Sequence, residues 1–243
     1  MMKSSLPCLT ALVISSLLMV AGINAAPSPA PVSLFNGKDL TGWIAYGKDN
    51  SPDAAKTWGV ANGVITDTGK PAGYLRTTAR YSNYRLVVEW RWLDAPLDAK
   101  GKPRTRNSGV LLHMQGKDGV WPKSIEAQLQ EKNAGDFWII GGVDTNEHKA
   151  AREKAIAAAG SDEAALKKAR NNRRLAKKLP TNEKPEGQWN RYDIVCRGDT
   201  IILTVNGVEQ NRVTGLNVQE GHICLQSEGS PIEFRNITLT PVN

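Results

Sequence analysis

Two side chains in the middle of this 243-residue chain can move a proton near neutral pH: Glu126 and His113. Carboxylates and neutral imidazoles are the usual general acids, general bases and metal ligands of proteins. Glu126 opens an unusual row. Ser124 to Gly142 reads SIEAQLQEKNAGDFWIIGG, in which Ile125, Ala127 and Leu129 alternate with Glu126, Gln128 and Gln130. This is the period of a strand with one dry face and one polar face. The polar face carries one carboxylate and two carboxamides, spaced to meet the hydroxyls of an extended polar ligand. In the strand-like Gly109–Met114, His113 has the opposite parity to Val110, Leu112 and Met114. In Tyr84–Trp92, Glu89 and Arg91 oppose Leu86, Val88, Trp90 and Trp92. If these three strands are neighbours in one curved sheet, Glu89, Arg91, His113, Glu126 and Gln128 line one polar surface. His113, Glu126 and Gln128 also make a mixed N/O set that suits a divalent cation. No His-x-His, Cys-x-x-Cys or Asp-rich calcium loop accompanies them, so the sequence permits a cation without requiring it.

The elements that must position these residues are short. Between Val32 and Ala127, β-like runs alternate with turn dipeptides such as Asn36-Gly37 and Asn62-Gly63. After Gly187 the same texture returns. Trp189–Cys196, Thr200–Val205, Gln210–Val213, Gly221–Gln226 and Ile232–Leu239 read as strands, with Asn206-Gly207 joining two of them in a tight hairpin. The pattern predicts an all-β fold, an antiparallel sandwich of jelly-roll type. Residues 147–184 break it. They are rich in Ala, Lys, Arg and Glu, which is helical composition, and Gly160 with Ser161 divides them into a helical hairpin. The apolar stripe of this insertion is thin (Ile156, Leu166, Leu175 and Leu179), so the expectation is a loosely docked or mobile arm with a solvated His148.

Charge and cysteine content narrow the function classes. The formal net charge is +7, but residues 147–184 hold eleven Lys and Arg against five Asp and Glu, and the rest is close to neutral. Basicity confined to one helical segment, without groove-reading elements, argues against a nucleic-acid partner. Lys3, the apolar run Leu9–Val20 and the small residues near Ala25 read as a secretory signal peptide over 1–25. The apolar run is too short for a membrane span, so no transmembrane segment is expected after cleavage. Residues 26–31 form a Pro-rich linker, and 32–243 form the sandwich. The expectation is a secreted or periplasmic protein. Cys196 and Cys224 either pair or remain as two buried thiols.

Segments spread over the whole sandwich resemble one family. LFNGKDLTGW, WGVANGVI, YRLVVEWRW, NSGVLLH, WPKSIEAQLQ, NAGDFWIIGG, QWNRYDIVCRGD and GHICLQSEGSPIEFRNITLTP run in order from Leu34 to Pro241. They are similar to the secreted 3-keto-disaccharide hydrolases, whose domain is a concanavalin A-like sandwich. The resemblance implies a carbohydrate substrate with a ketone at carbon 3. That ketone acidifies the proton on carbon 2, so a base can remove it and the aglycone can leave from carbon 1. Water can then add to the resulting enone, giving net hydrolysis. Glu126 and His113 would be the catalytic pair. Glu89, Arg91, Asn107, Gln128 and Asp136 would bind the substrate or stabilise its enolate, and Trp121 and Trp138 would stack on a sugar ring. His222 and Gln226 share a parity on a late strand and rank below these. The basic insertion is long for the family.

Two rival readings use the same polar face. One is a carbohydrate-binding module without chemistry. The other is a retaining endo-glucanase, which carries Glu-x-Asp-x-x-Glu on one strand. Here Glu126 and Glu131 keep that spacing, but Gln128 stands where the Asp belongs.

Overall fold

A computed structural model describes residues 29–242. The proposed signal peptide and the first half of the linker, residues 26–28, lie outside them. Two antiparallel sheets carry the fold. In the first, the strand order is β14 (Val208–Val213), β13 (Thr200–Val205), β12 (Asn190–Arg197), β7 (Tyr84–Trp92), β16 (Ile232–Pro241), β4 (Val64–Asp67) and β3 (Trp58–Ala61), with β1 (Val32–Ser33) beside β16. In the second, it is β11 (Arg174–Leu175), β10 (Phe137–Ile140), β9 (Ser124–Gln128), β8 (Gly109–Met114), β15 (Glu220–Ser227), β5 (Gly73–Thr77) and β2 (Trp43–Gly47), with β6 (Tyr81–Ser82) beside β15. The helices are α1 (Ala54–Thr57), α2 (Asn146–Ala159) and α3 (Glu163–Asn171). Among the described residues, no helix is long and apolar enough to cross a membrane.

The alternation read in β7 places its Leu86, Val88, Trp90 and Trp92 in the core between the sheets. Val110 and Leu112 of β8, Ile125 and Ala127 of β9, and Phe137 and Ile139 of β10 meet them from the second sheet. Burial of this alternating set drives the two sheets together. The second sheet is also partly covered on its outer face. Tyr74, Leu111, Met114, Ile140 and Cys224 form a separate apolar cluster there. Above it the Gln115–Lys123 loop is held down by Asp118, which accepts from Tyr74 Oη at 2.9 Å and from Arg76 Nε at 2.9 Å. Cys196 and Cys224 are free thiols on different sheets, so the sequence alternative of two buried thiols describes them.

The helical insertion is firmly docked, contrary to the expectation of a loose arm. Its anchors are polar rather than apolar. Glu147 accepts from Thr214 N at 2.8 Å and Thr214 Oγ1 at 2.9 Å. His148 is buried, not solvated: Nδ1 lies 2.7 Å from Asp144 Oδ1 and Nε2 lies 2.8 Å from the Asn172 carbonyl. Thr145 caps α2 by accepting from His148 N, and Asp162, one residue after the expected Ser161, caps α3 by accepting from Ala165 N. The return segment then pairs as β11 with β10.

One buried acid in the sandwich makes its stability depend on pH. Asp67 Oδ1 accepts from Gly69 N and Ser227 Oγ, while Oδ2 has no partner. Burial raises its pKa from 3.8 to about 7. Between about pH 4 and about pH 7 the folded chain therefore keeps a proton that the unfolded chain has released, and stability falls as pH rises through that window. Asp67→Asn removes this contribution. Calorimetry should show the variant gaining on the wild type in Tm as pH rises through the same window. A constant Tm difference across it would refute the assignment.

Candidate active site

The outer face of the second sheet carries a cavity of about 190 Å³. Its lining grows from the register of four strands. Gly109 on β8 pairs with Gln128 on β9, and Leu111 pairs with Glu126. Glu126 in turn pairs with Trp138 on β10, and Gln226 on β15 pairs with Tyr74 on β5. Because side chains alternate, Glu126, Gln128, Trp138 and Gln226 all point away from the core on one side of the sheet. Loops complete the wall: Asn107 precedes β8, Trp121 lies in the Gln115–Lys123 loop, Glu228 follows β15, and Arg173 lies between α3 and β11 in the insertion.

Glu126 sits at the floor. Its Oε1 is buried without a hydrogen-bond partner, packed where Gly109 has no side chain. A Cβ on Gly109 would stand 2.4 Å from that oxygen. Burial is the main cause raising the Glu126 pKa from 4.5 to about 8; the Glu228 charge adds to the rise and the Arg173 charge opposes it. Burial likewise raises Glu228 to about 7. Two further oxygens of the lining, Asn107 Oδ1 and Gln226 Oε1, are buried without partners. Unpartnered buried acceptors are uncommon in native structures, and three of them lie around this one cavity.

Gln128 is positioned rather than free. Its Oε1 accepts from the backbone of Leu129 at 2.8 Å and Gln130 at 2.7 Å. Tyr192, reaching across the core from β12, donates its hydroxyl to the Gln128 carbonyl at 2.6 Å and accepts from Gly135 N at 2.6 Å. Trp138 stands half-buried with the Arg173 guanidinium carbon 6.0 Å from its ring centroid.

Of the residues predicted from sequence, the cavity gathers Glu126, Gln128, Asn107, Trp121 and Trp138. It does not gather His113. A bulge in β8 sets Leu112 and His113 against a single residue of β15, and His113 takes φ +55°. The bulge reverses the parity on which the shared face depended. The imidazole enters the interior edge-on to Tyr84, with centroids 5.7 Å apart and Nδ1 3.1 Å from the Val218 carbonyl. Burial holds its pKa down at about 4. His113 is a neutral, packed side chain, and the Glu126–His113 pair is not assembled.

Glu89 and Arg91 are also displaced, because β7 belongs to the first sheet. They lie on its outer face with the whole core between them and the cavity. There Glu89 accepts from Arg235 Nε at 2.8 Å, and Arg91 pairs with Glu233 under Trp189. Asp136 is buried as a clasp for the insertion, accepting from Arg174 Nε at 2.6 Å and Lys177 N at 2.8 Å. The cation set His113, Glu126 and Gln128 loses its imidazole by the same facts, and the Gln128 oxygen is already taken by two backbone donors. Among the described residues no group of three or more His, Cys, Asp and Glu side chains is placed to hold a metal. The glucanase pair fails as well, because Glu131 is tied to Arg106 at 3.1 Å outside the cavity.

Sequence reasoning passed over Glu228 and Arg173. Neither lies in a periodic element, so parity could not place them. Glu228 sits in SEGSP, whose Gly and Pro mark a turn beside a strand already carrying Gln226.

Fold and cavity together define a two-sheet sandwich with an acidic, carboxamide-lined pocket on one outer face. Residues 30–240 match the model of the 3-keto-alpha-glucoside-1,2-lyase-like domain, and the chain belongs to that family. It is 25% identical over 191 residues to a 3-keto-disaccharide hydrolase of Bacteroides thetaiotaomicron, an alignment covering 70% of this chain and 54% of that protein. The chain thus spans about half the length of this curated relative. Among solved structures, a provisionally named glycosyl hydrolase of Parabacteroides distasonis superposes with TM-score 0.58 at 19% identity, over 88% of this chain and 94% of that one. The β-glucanase of Bacillus licheniformis superposes with TM-score 0.54 at 12% identity, over 90% and 100%. These likenesses establish the concanavalin A-like sandwich.

Gly109→Ala tests how Glu126 is held. The added methyl should push the carboxyl toward the cavity and water, and its titration, followed by carbon-13 NMR of the side chain, should move down from about 8 toward 4.5. An unmoved titration would show that the missing Cβ is not what holds the carboxyl in place.

Proposed function

We propose that this chain cleaves glycosides bearing a ketone at carbon 3, with Glu228 as base and Glu126 as acid. One observation carries the reading: two carboxyl groups of raised pKa line one cavity, and the deeper one, Glu126, has the higher value. Near neutral pH the pair then holds one proton, on Glu126. Such a divided pair is how one site runs acid and base chemistry together.

Each step follows from that starting state. Glu228 takes the proton from carbon 2, and the C–H electrons form a carbon 2–carbon 3 double bond with negative charge on the ketone oxygen. The enolate collapses, the carbonyl reforms and a carbon 1–carbon 2 double bond appears as the bond to the aglycone breaks. The leaving oxygen takes the Glu126 proton. For hydrolysis the roles reverse. Glu126 accepts a proton from water as the water adds to carbon 1, and Glu228 returns a proton to carbon 2. Both carboxyl groups end as they began. Asn107, Gln128 and Gln226 supply carboxamides for the ring hydroxyls, and Trp138 and Trp121 flank the ring. The alternation of polar and aromatic lining is what a hydroxylated ring with apolar C–H faces requires. Family membership and the name of the relative support the 3-keto substrate. The sequence of residues 1–25 supports export before the enzyme acts.

The test is a pH series with a 3-keto glucoside. The wild type should give a bell-shaped kcat/KM with limbs near pH 7 and pH 8, following the ionisation of Glu228 and the deprotonation of Glu126. Glu228→Gln and Glu126→Gln should each lower kcat/KM by about 100-fold or more. Turnover by both variants at the wild-type rate, or binding of the sugar by the wild type without cleavage, would overturn the reading.

A further inference from the structure

The helical insertion brings one cation to this cavity. Arg173 is the only Lys or Arg in the lining, and it is the residue that follows the end of α3 and its cap. Its neighbours are engaged. Arg174 donates to Asp136 at 2.6 Å and to Asn133 Oδ1 at 3.2 Å. The guanidinium of Arg173, by contrast, makes no ion pair or hydrogen bond among the described residues; it lies over the Trp138 ring at the cavity rim.

The main chain on either side is fixed. The Arg173 carbonyl accepts from Ile139 N at 2.8 Å. Asn172 brackets the residue from outside, its Oδ1 accepting from Arg174 N at 3.1 Å and its Nδ2 donating to the Arg174 carbonyl at 3.3 Å. His148 holds the Asn172 carbonyl from the base of α2 at 2.8 Å. Bonds that do not involve the Arg173 side chain therefore hold its backbone, and its charge is left over a cavity containing two carboxyl groups.

We propose that Arg173 is a catalytic residue whose guanidinium donates to the substrate oxygen on carbon 3 and stabilises the negative charge formed there as carbon 2 loses its proton. This rests on the functional reading above. That step moves the negative charge from Glu228 onto an enolate oxygen in a half-enclosed pocket, where a negative charge without a compensating donor is costly. Besides the two carboxyl groups and Ile140, the lining otherwise offers carboxamides and indoles, none of which carries a positive charge. A guanidinium presents its donors in a planar fork, which suits a planar enolate oxygen better than a single ammonium does.

The experiment separates proton abstraction from cleavage. A 3-keto C-alkyl glucoside cannot lose its aglycone, because elimination would have to expel an alkyl carbanion, so loss of its carbon 2 proton signal in deuterated water reports the first step alone. A 3-keto O-glucoside reports the whole reaction. Arg173→Ala should keep the wild-type Tm, since the side chain is exposed and unpaired, and should slow both exchange and kcat by about 100-fold with KM little changed. Added guanidinium chloride at millimolar concentration should restore part of both rates to Arg173→Ala and leave Glu228→Gln unaffected. Arg173→Lys should recover less than the rescued Ala variant. If the wild type exchanges and cleaves while Arg173→Ala keeps its kcat and changes only KM, the assignment falls and Arg173 is a binding residue. If the wild type neither exchanges nor cleaves, the functional reading falls and this assignment falls with it.

Discussion

Much of the site follows from one constraint, a carboxyl group held against the floor of a sheet without a partner for its inner oxygen. A carboxylate in that position would lose its hydration and gain no hydrogen bond, so the proton stays. What permits the arrangement is the absence of a side chain at Gly109, paired with Gln128 in the neighbouring strand. A larger residue there would press on the carboxyl, since an added Cβ would stand 2.4 Å from its inner oxygen. A strand pairing, a missing methyl group and a raised acidity constant are thus one fact stated at three levels of structure.

The support around this floor comes from both sheets. Tyr192 spans the core to hold the backbone at Gln128, so the first sheet contributes to the site without facing it. Asp118 fixes the loop that carries Trp121. Asp136, expected from sequence to bind substrate, instead holds the segment bearing Arg173. These acids serve different ends because their surroundings differ. Asp118 and Asp136 each meet an arginine, whereas Glu126 and Glu228 have no arginine bound to them and share a cavity.

Period-2 patterning made most of the fold legible. The strand Tyr84–Trp92 and the hairpin at Asn206-Gly207 needed only local rules, and both stand where those rules placed them. The site was half legible. Glu126, Gln128 and Trp138 share a face because no irregularity interrupts the pairing of β9 with β10. His113 was misplaced because a bulge adds one residue to the count, and parity cannot survive an extra residue. Glu89 and Arg91 were misplaced for another reason: periodicity assigns a face within a strand but not the sheet to which the strand belongs. The insertion misled because amphipathicity measures apolar docking, and this arm is bound by Glu147, His148 and Asp136 instead.

The pairing of Arg174–Leu175 with β10 has a consequence for solubility. Without that short strand, Phe137-Trp138-Ile139-Ile140 would form the open border of the second sheet, with its backbone donors and acceptors unpaired on one side. Open borders rich in aromatic and β-branched residues recruit other chains and seed aggregation. The return strand of the basic arm therefore acts as a selvedge that finishes the fabric, and excising the arm would uncover that border.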